Sequence, residues 1–330
     1  DPGQLLEGAR SVISLGLSYF VATTNRTGTL EGSEPDAPAG NGKVARYARG
    51  RDYHRVMKSR MRDYVRALSS RLATEVSARW YVDDGPMLDR AAAARSGLGW
   101  FGKNTNILTP SHGSWVFLGQ VISDLELESD RPLPKTCGGC VRCIDACPTG
   151  AIVEPYVIDN SRCISHLTIE NRGPIPRDLR TLLGDWVFGC DICQDICPVN
   201  RKSQAATSPI PNLPQNSSSN ENELNLVELL NLTEEGFGNR FQGSPIARAK
   251  RVGLQRNACV ALGNRRDFTA VPALLDALET GDPLVRGHAA WALGQIRGSK
   301  ALRGLRLALS TEEDSSVVEE IQSALQNTAA

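Results

Sequence analysis

Eight cysteines confined to one stretch constrain this 330-residue chain more than any other feature. They run Cys137-x2-Cys140-x2-Cys143-x3-Cys147-Pro148, then Cys163, then Cys190-x2-Cys193-x3-Cys197-Pro198. The ninth, Cys259, stands apart. A disulfide framework suits small secreted domains, which lack a sufficient core. This chain is 41% hydrophobic and can build one without staples. Clustered thiols in such a chain point to metal, and hence to a reducing, cytoplasmic setting. Three thiolates two residues apart can wrap a tight turn around one face of an iron–sulfur cube. The amides of that turn aim at the sulfurs and offset their charge. A fourth cysteine, followed by proline, leaves in another direction and reaches a second cluster.

The ligands of a second cluster are present. Cys190, Cys193 and Cys197-Pro198 repeat the end of the first run, and Cys163 supplies the missing member from a distance. By the crossover seen in two-cluster bacterial ferredoxins, Cys137, Cys140, Cys143 and Cys197 hold one [4Fe–4S] cluster. Cys147, Cys163, Cys190 and Cys193 hold the other. Two Zn(Cys)4 sites are the alternative, but these usually show paired Cys-x2-Cys knuckles. Cys259 sits on an apolar repeat face and reads as a buried core thiol.

Formal net charge is zero, so the average composition names no polyanionic partner. Locally the picture differs. Residues 43–71 hold ten Lys/Arg against Asp52 and Asp63, and residues 240–306 hold twelve against Asp267, Asp276, Glu279 and Asp282. Such blocks are a footprint for phosphate groups or simply solvated helix faces. No apolar run is long enough to span a bilayer, and no signal peptide is visible. The chain opens at Asp1-Pro2 without Met, which suggests that the natural N-terminal segment is missing.

Residues 11–19 alternate as a strand, and 22–42 read as a loop. A long amphipathic helix follows with Tyr53, Met57, Met61, Tyr64, Leu68, Leu72 and Val76 on its apolar face. Trp80-Tyr81-Val82 reads as a strand entering the turn Asp83-Asp84-Gly85-Pro86, and 87–96 as a helix stopped by Gly97. Strands are expected near 105–109 and 115–122. This alternation predicts an α/β layer domain. The last 90 residues repeat: Asn257–Asn264 matches His288–Gln295 at an offset of 31, and Asp282–Leu293 resembles Asp314–Leu325 at an offset of 32. Repeats of this length built from helix pairs are HEAT-like. The expected fold is therefore α+β multidomain. It has an α/β catalytic domain (1–128), a ferredoxin-like two-cluster module (129–203), a linker (204–240) and a HEAT-like repeat domain (241–330).

Two side-by-side clusters conduct electrons, so a reaction site is sought in the N-terminal domain. Gly97, Gly99 and Gly102 permit close approach of something flat or bulky. No Gly-Lys-Ser/Thr phosphate loop occurs, and no strand runs into a dinucleotide fingerprint. None of His54, His112, His166 or His288 has a partner at metal spacing.

Several segments together resemble one family. They are Tyr81-Val-Asp83-Asp-Gly-Pro86-Met-Leu-Asp89-Arg90, Ala94–Asn106, Ala45-Arg46 through Tyr53-His54, Cys163-Ile-Ser165 through Glu170, and Phe188-Gly-Cys190-Asp191-Ile-Cys193. They are similar to the epoxyqueuosine reductases, cobalamin-dependent iron–sulfur enzymes of queuosine tRNA modification. The resemblance covers nearly the whole chain. Asp84 departs from it, standing where a smaller residue is expected. The resemblance implies cobalamin bound between the N-terminal domain and the cluster module, with cobalt reduced by the clusters. It implies a substrate at the tRNA wobble position, whose epoxide oxygen leaves as water with two electrons and two protons. Asp83 matches the family's proton donor.

Asp83 has its own chemical rationale. A departing alkoxide needs a proton, and a carboxyl group can supply it near neutral pH where desolvation raises its pKa. A turn residue or helix N-cap is the plainer reading, and it fits Asp84 or Asp89 at least as well. Arg46, Asp83, Lys103, Asn106, Ser165, Cys190 and Asp191 are the expected cofactor contacts. Asn104 joins Lys103 and Asn106 as a possible donor to corrin amides. Arg90, Arg248, Lys250, Arg251 and Arg256 are the expected substrate and tRNA contacts, with surface decoration as the alternative. An unidentified electron donor, a monomeric state and no membrane association complete the expectation. A reductive dehalogenase-like enzyme shares the core logic, and a two-cluster electron-transfer protein is the non-enzymatic alternative.

Overall fold

The computed structural model describes residues 1–20, 40–203 and 223–326. Most of the loop expected at 22–42, and part of the linker expected at 204–240, lie outside them.

The N-terminal layer holds β1 (Ser11–Ser18), β2 (Asn41–Val44), α1 (Tyr53–Leu72), β3 (Ala78–Tyr81), α2 (Asp89–Arg95), β4 (Trp100–Phe101), β5 (Ile107–Leu108) and β6 (Val116–Ser123). The expected layer of strands and helices is present. The sheet order is β1-β6-β3, and both pairings are antiparallel. Central β6 is buried on both faces. Gly119 faces α1 so closely that an added Cβ would lie 2.9 Å from Met57 Cε and Met61 Sδ. Neighbouring Gln120 points the other way and donates to the Asp89 carbonyl of α2 at 3.3 Å. That is the period-two alternation of a strand covered by a helix on each side. α1 buries Tyr53, Met57, Met61 and Val65, not the expected Tyr64 and Leu72. Its stripe steps by four from 53 to 65 and then runs out, so the helix outlasts the sheet it covers. Asp52 caps it through the His54 N–H at 3.0 Å.

The cluster module follows with α3 (Arg142–Asp145), β7 (Ile152–Glu154), β8 (Val157–Ile158), α4 (Ile164–Ile169), α5 (Arg177–Arg180), β9 (Trp186–Phe188) and α6 (Ile192–Asp195). Then come β10 (Glu223–Asn225), α7 (Leu226–Leu230) and α8 (Glu234–Phe241). Residues 223–240 are thus not linker. β10 pairs with β2, which pairs in parallel with β9, so one small sheet joins three distant parts of the chain. Leu224, Leu226, Leu229, Leu230 and Phe237 are buried there. At Gly42 a Cβ would lie 2.6 Å from Val187 and 2.7 Å from Leu226, so only glycine fits.

The C-terminal helices are α9 (Lys250–Arg265), α10 (Val271–Thr280), α11 (Pro283–Ile296), α12 (Ser299–Leu309) and α13 (Ser315–Gln326). α9 packs on α11 and α11 on α13, as stacked repeats do. Cys259 is fully buried, as expected. The inner face caps the cluster module. Asn257 Nδ2 donates to Thr168 O and Val187 O, each at 2.8 Å. At the equivalent repeat position, His288 Nε2 accepts the Ile175 N–H at 3.2 Å. The expected cluster module and repeat domain share one hydrophobic core, which also takes in Val44, Ala45 and Ala48. No helix among the described residues is long and apolar enough to cross a membrane.

Candidate active site and cluster module

Two short helices preceded by cysteines, α3 and α6, pack against each other and bring the two runs together. Burial pushes the Cys143 thiol up, and the nearby Cys137, Cys197 and Cys140 sulfurs push it further. Burial likewise pushes up Cys190, with Cys193 and Cys163 as its sulfur neighbours. Cys193 lies within electrostatic reach of both Cys163 and Cys143, so the two runs of thiols meet at this point. Cys147 is turned by its own loop, its Sγ accepting the Ala151 N–H at 3.3 Å.

The N-terminal layer grips this module through its polar side chains. Lys103 Nζ donates to Gly138 O at 2.9 Å, and Asn104 Nδ2 to Cys193 O at 3.2 Å. The Arg46 N–H donates to Asp191 Oδ2 at 2.7 Å, and the Arg46 guanidinium pairs with both Asp191 and Asp195. That guanidinium stacks over Trp115 at 4.8 Å from the ring centre. Asn200 Nδ2 donates to Ser114 Oγ at 2.8 Å, and Ser114 Oγ to Gln194 Oε1 at 2.8 Å. The glycines act here too. A Cβ at Gly97 would lie 2.5 Å from Arg131 O, and one at Gly99 2.6 Å from Leu108 O. The close approach they permit is to the chain's own backbone.

Beside this seam the turn after β3 presents Asp83. Its φ of 50° is left-handed, a rare conformation for a residue with a side chain. The turn is pinned by Asp84, which accepts the Val82 N–H at 3.0 Å and pairs with Lys58. Asp83 itself is exposed, and its Oδ2 accepts the Tyr53 O–H at 2.9 Å. Tyr53 stacks on Phe117 with centroids 4.4 Å apart. Burial, then the charge of Asp83, pushes the Tyr53 phenol far up, so it stays a donor at any working pH. Tyr47 meets the Tyr53 ring edge-on, with centroids 6.1 Å apart. Burial pushes its phenol up, and the Asp191, Asp83 and Glu170 carboxylates push it further. Glu170 pairs with Arg248, which lies within electrostatic reach of Asp83 and Tyr53. The Asp83 turn, a cluster-binding loop and the entry to the repeats are therefore neighbours around Tyr47.

The chain is similar to known proteins along most of its length. Residues 1–84 match the family model described as epoxyqueuosine reductase QueG, DUF1730. Residues 136–200 match a 4Fe-4S double cluster binding domain, and 246–326 match HEAT repeats. The epoxyqueuosine reductase of Cellulophaga algicola is 42% identical over 257 residues, which is 78% of each chain. The chain belongs to the epoxyqueuosine reductase family. The Escherichia coli K12 epoxyqueuosine reductase is 40% identical over 296 residues, 89% of this chain and 75% of that one. A crystal structure of epoxyqueuosine reductase with an epoxyqueuosine-modified tRNA-Tyr stem loop superposes with a TM-score of 0.87 at 32% identity. It covers 100% of this chain and 84% of the other.

Seen within the epoxyqueuosine reductase family, the expected contacts divide. Asp83 is exposed on its turn, Ser165 is half-buried two residues beyond Cys163, and Asp191 is buried and bonded to Arg46. Arg46 and Lys103 are taken up by the seam between layer and module. Arg90 donates to Thr105 O and Oγ1, at 2.9 and 3.1 Å. Lys250 is exposed, and Arg251 pairs with Glu234 and Gln255. Arg256 is corrected. It is 0% exposed and donates to Asn171 O, Gly173 O and Leu167 O, so it cannot meet tRNA. Sequence reasoning missed Tyr47 and Tyr53 as site residues. It read Tyr53 only as the first apolar step of α1, and its position next to the Asp52 cap was the available signal. It also missed Glu170 and Asp195, whose partners lie far away in the chain.

Proposed function

We propose that this chain reduces epoxyqueuosine to queuosine in tRNA, with cobalamin bound in the cleft beside Asp83. The carrying observation is that Tyr47 has Asp83, Glu170 and the cluster-loop residue Asp191 as electrostatic neighbours at once. A proton donor and a cluster loop therefore face one space.

The donor set fits both cofactors. Cys137, Cys140, Cys143 and Cys197 would hold one [4Fe–4S] cluster, and Cys147, Cys163, Cys190 and Cys193 the other. For cobalamin, a ligand rich in amides, the buried His166 Nδ1 has no hydrogen-bond partner among the described residues. Asn106, Ser165 and His166 would hold its periphery. The bound cofactors would supply the two electrons.

The protein's own residues do the rest. Tyr53 orients the Asp83 carboxyl, and Asp83 gives the proton to the epoxide oxygen as a carbon–oxygen bond breaks. Exposed Arg248 and Lys250, at the start of the repeats, meet phosphates of the anticodon stem. A reductive dehalogenase would have no use for that surface, and a pure electron carrier would have no use for Asp83.

Anaerobically purified protein should contain iron, sulfide and cobalamin, and should convert epoxyqueuosine tRNA under reducing conditions. Loss of turnover in Asp83→Asn with cofactor content intact supports the assignment of Asp83, and full turnover in that variant refutes it.

A further inference from the structure

Removing an epoxide oxygen as water takes two electrons and two protons. The first proton goes to the oxygen when one carbon–oxygen bond breaks. The second goes to it when the other breaks, leaving an alkene and water. Asp83, as proposed above, holds only one proton at a time. We infer that Asp89 is the second proton store of the reaction and resupplies Asp83 between the two transfers. This inference rests on the proposed role of Asp83.

The geometry around Asp89 is unusual for a carboxylate. It is the first residue of α2, six residues beyond Asp83, yet it caps nothing. The N-cap is Leu88, and no side chain caps the helix. Asp89 Oδ1 is buried and has no hydrogen-bond partner among the described residues. An unpartnered buried carboxyl oxygen is costly in either form, and the ionised form costs more than the protonated one. The residue is also held in place. Buried Gln120 donates to its carbonyl at 3.3 Å and accepts the Ser14 O–H at 2.6 Å.

Among the described residues, no charged side chain on the strands packed against α2 relieves it. The strands packed on α2 are β1, β4, β5 and β6, and none carries a titratable side chain. On α2 itself Arg90 is turned to Thr105, and Arg95 is at the far end. The facing titratable group is Asp83. Burial first, and then the negative charge of Asp83, raises the Asp89 carboxyl to about 6. The Asp83 main chain and the Gln120 amide oppose this rise without cancelling it. The cleft thus pairs an exposed acid that meets substrate with a covered one that refills it. Electrons come from the bound cofactors, and solvent reprotonates Asp89 after turnover.

Infrared difference titration of the folded protein tests this apart from turnover. One carboxyl should titrate near pH 6, be absent in Asp89→Asn, and move to lower pH in Asp83→Asn, where the neighbouring charge is gone. In Asp89→Asn, single-turnover reduction of epoxyqueuosine stem loop should slow about tenfold or more and lose its pH dependence near 6. A wild-type rate and pH profile in Asp89→Asn overturns the inference, as does an unmoved midpoint in Asp83→Asn. If Asp89→Asn does not fold, the midpoint shift decides. Activity surviving in Asp83→Asn would instead sink the reading of Asp83.

Discussion

Asp83, Asp89 and Arg256 are polar residues with three different fates, and each makes a separate claim. Replacing Tyr53 with Phe removes the hydroxyl that orients Asp83 but keeps the stack on Phe117. Turnover should fall about tenfold with stability changed by only about 1 kcal/mol, as kinetics and chemical denaturation would report. Asp89 has a stability signature too. Its folded pKa is raised, so folding takes up protons between about 4 and 6 and stability is lost as pH rises through that window. Above it, Asp89→Asn should be more stable than wild type, and the gap should close below about pH 4 in thermal melts. Arg256 behaves oppositely. Arg256→Met would strand three carbonyls and should destabilise the fold by about 3 kcal/mol or more in denaturant titrations, with cofactor chemistry in the remaining folded protein unchanged.

At the scale of elements, β2 carries the most consequence per residue. Gly42→Val would drive a side chain into Val187 and Leu226. It should loosen β9 and β10 together, seen as faster amide exchange in both strands. Element-scale reasoning also explains what the sequence disclosed. Cluster ligation is a local demand met by spacing, so the double-cluster domain could be read from the chain. The repeats were readable because helix pairs recur at 31 and 32 residues. The burial of Arg256 was hidden, because it depends on carbonyls more than 80 positions earlier. The order inside 223–240 was hidden as well, since Leu224 and Leu226 become core only when β2 lies beside them. The antiparallel sheet escaped because alternation of strand and helix does not fix strand direction.

For the whole molecule, net neutrality conceals a division of labour. The described acidic residues pair with many of the arginines, leaving exposed Lys250 and the rim pair Arg248–Glu170 near the cleft. Affinity for a modified stem loop should fall steeply between low and physiological salt. Arg248→Ala with Lys250→Ala should flatten that slope by about two counterions, measurable by fluorescence anisotropy.

The parallel pairing of β2 with β9 sets a schedule for biosynthesis. Lys43 finds its partner only when Trp186 has been made, and β10 arrives later still. On the ribosome the early segment must therefore wait with an unpaired edge while the thiol-rich stretch emerges. Because each expected ligand set also needs cysteines beyond Phe188, β9 can seal the front of the molecule to its middle before either set is complete, and β10 closes the sheet last.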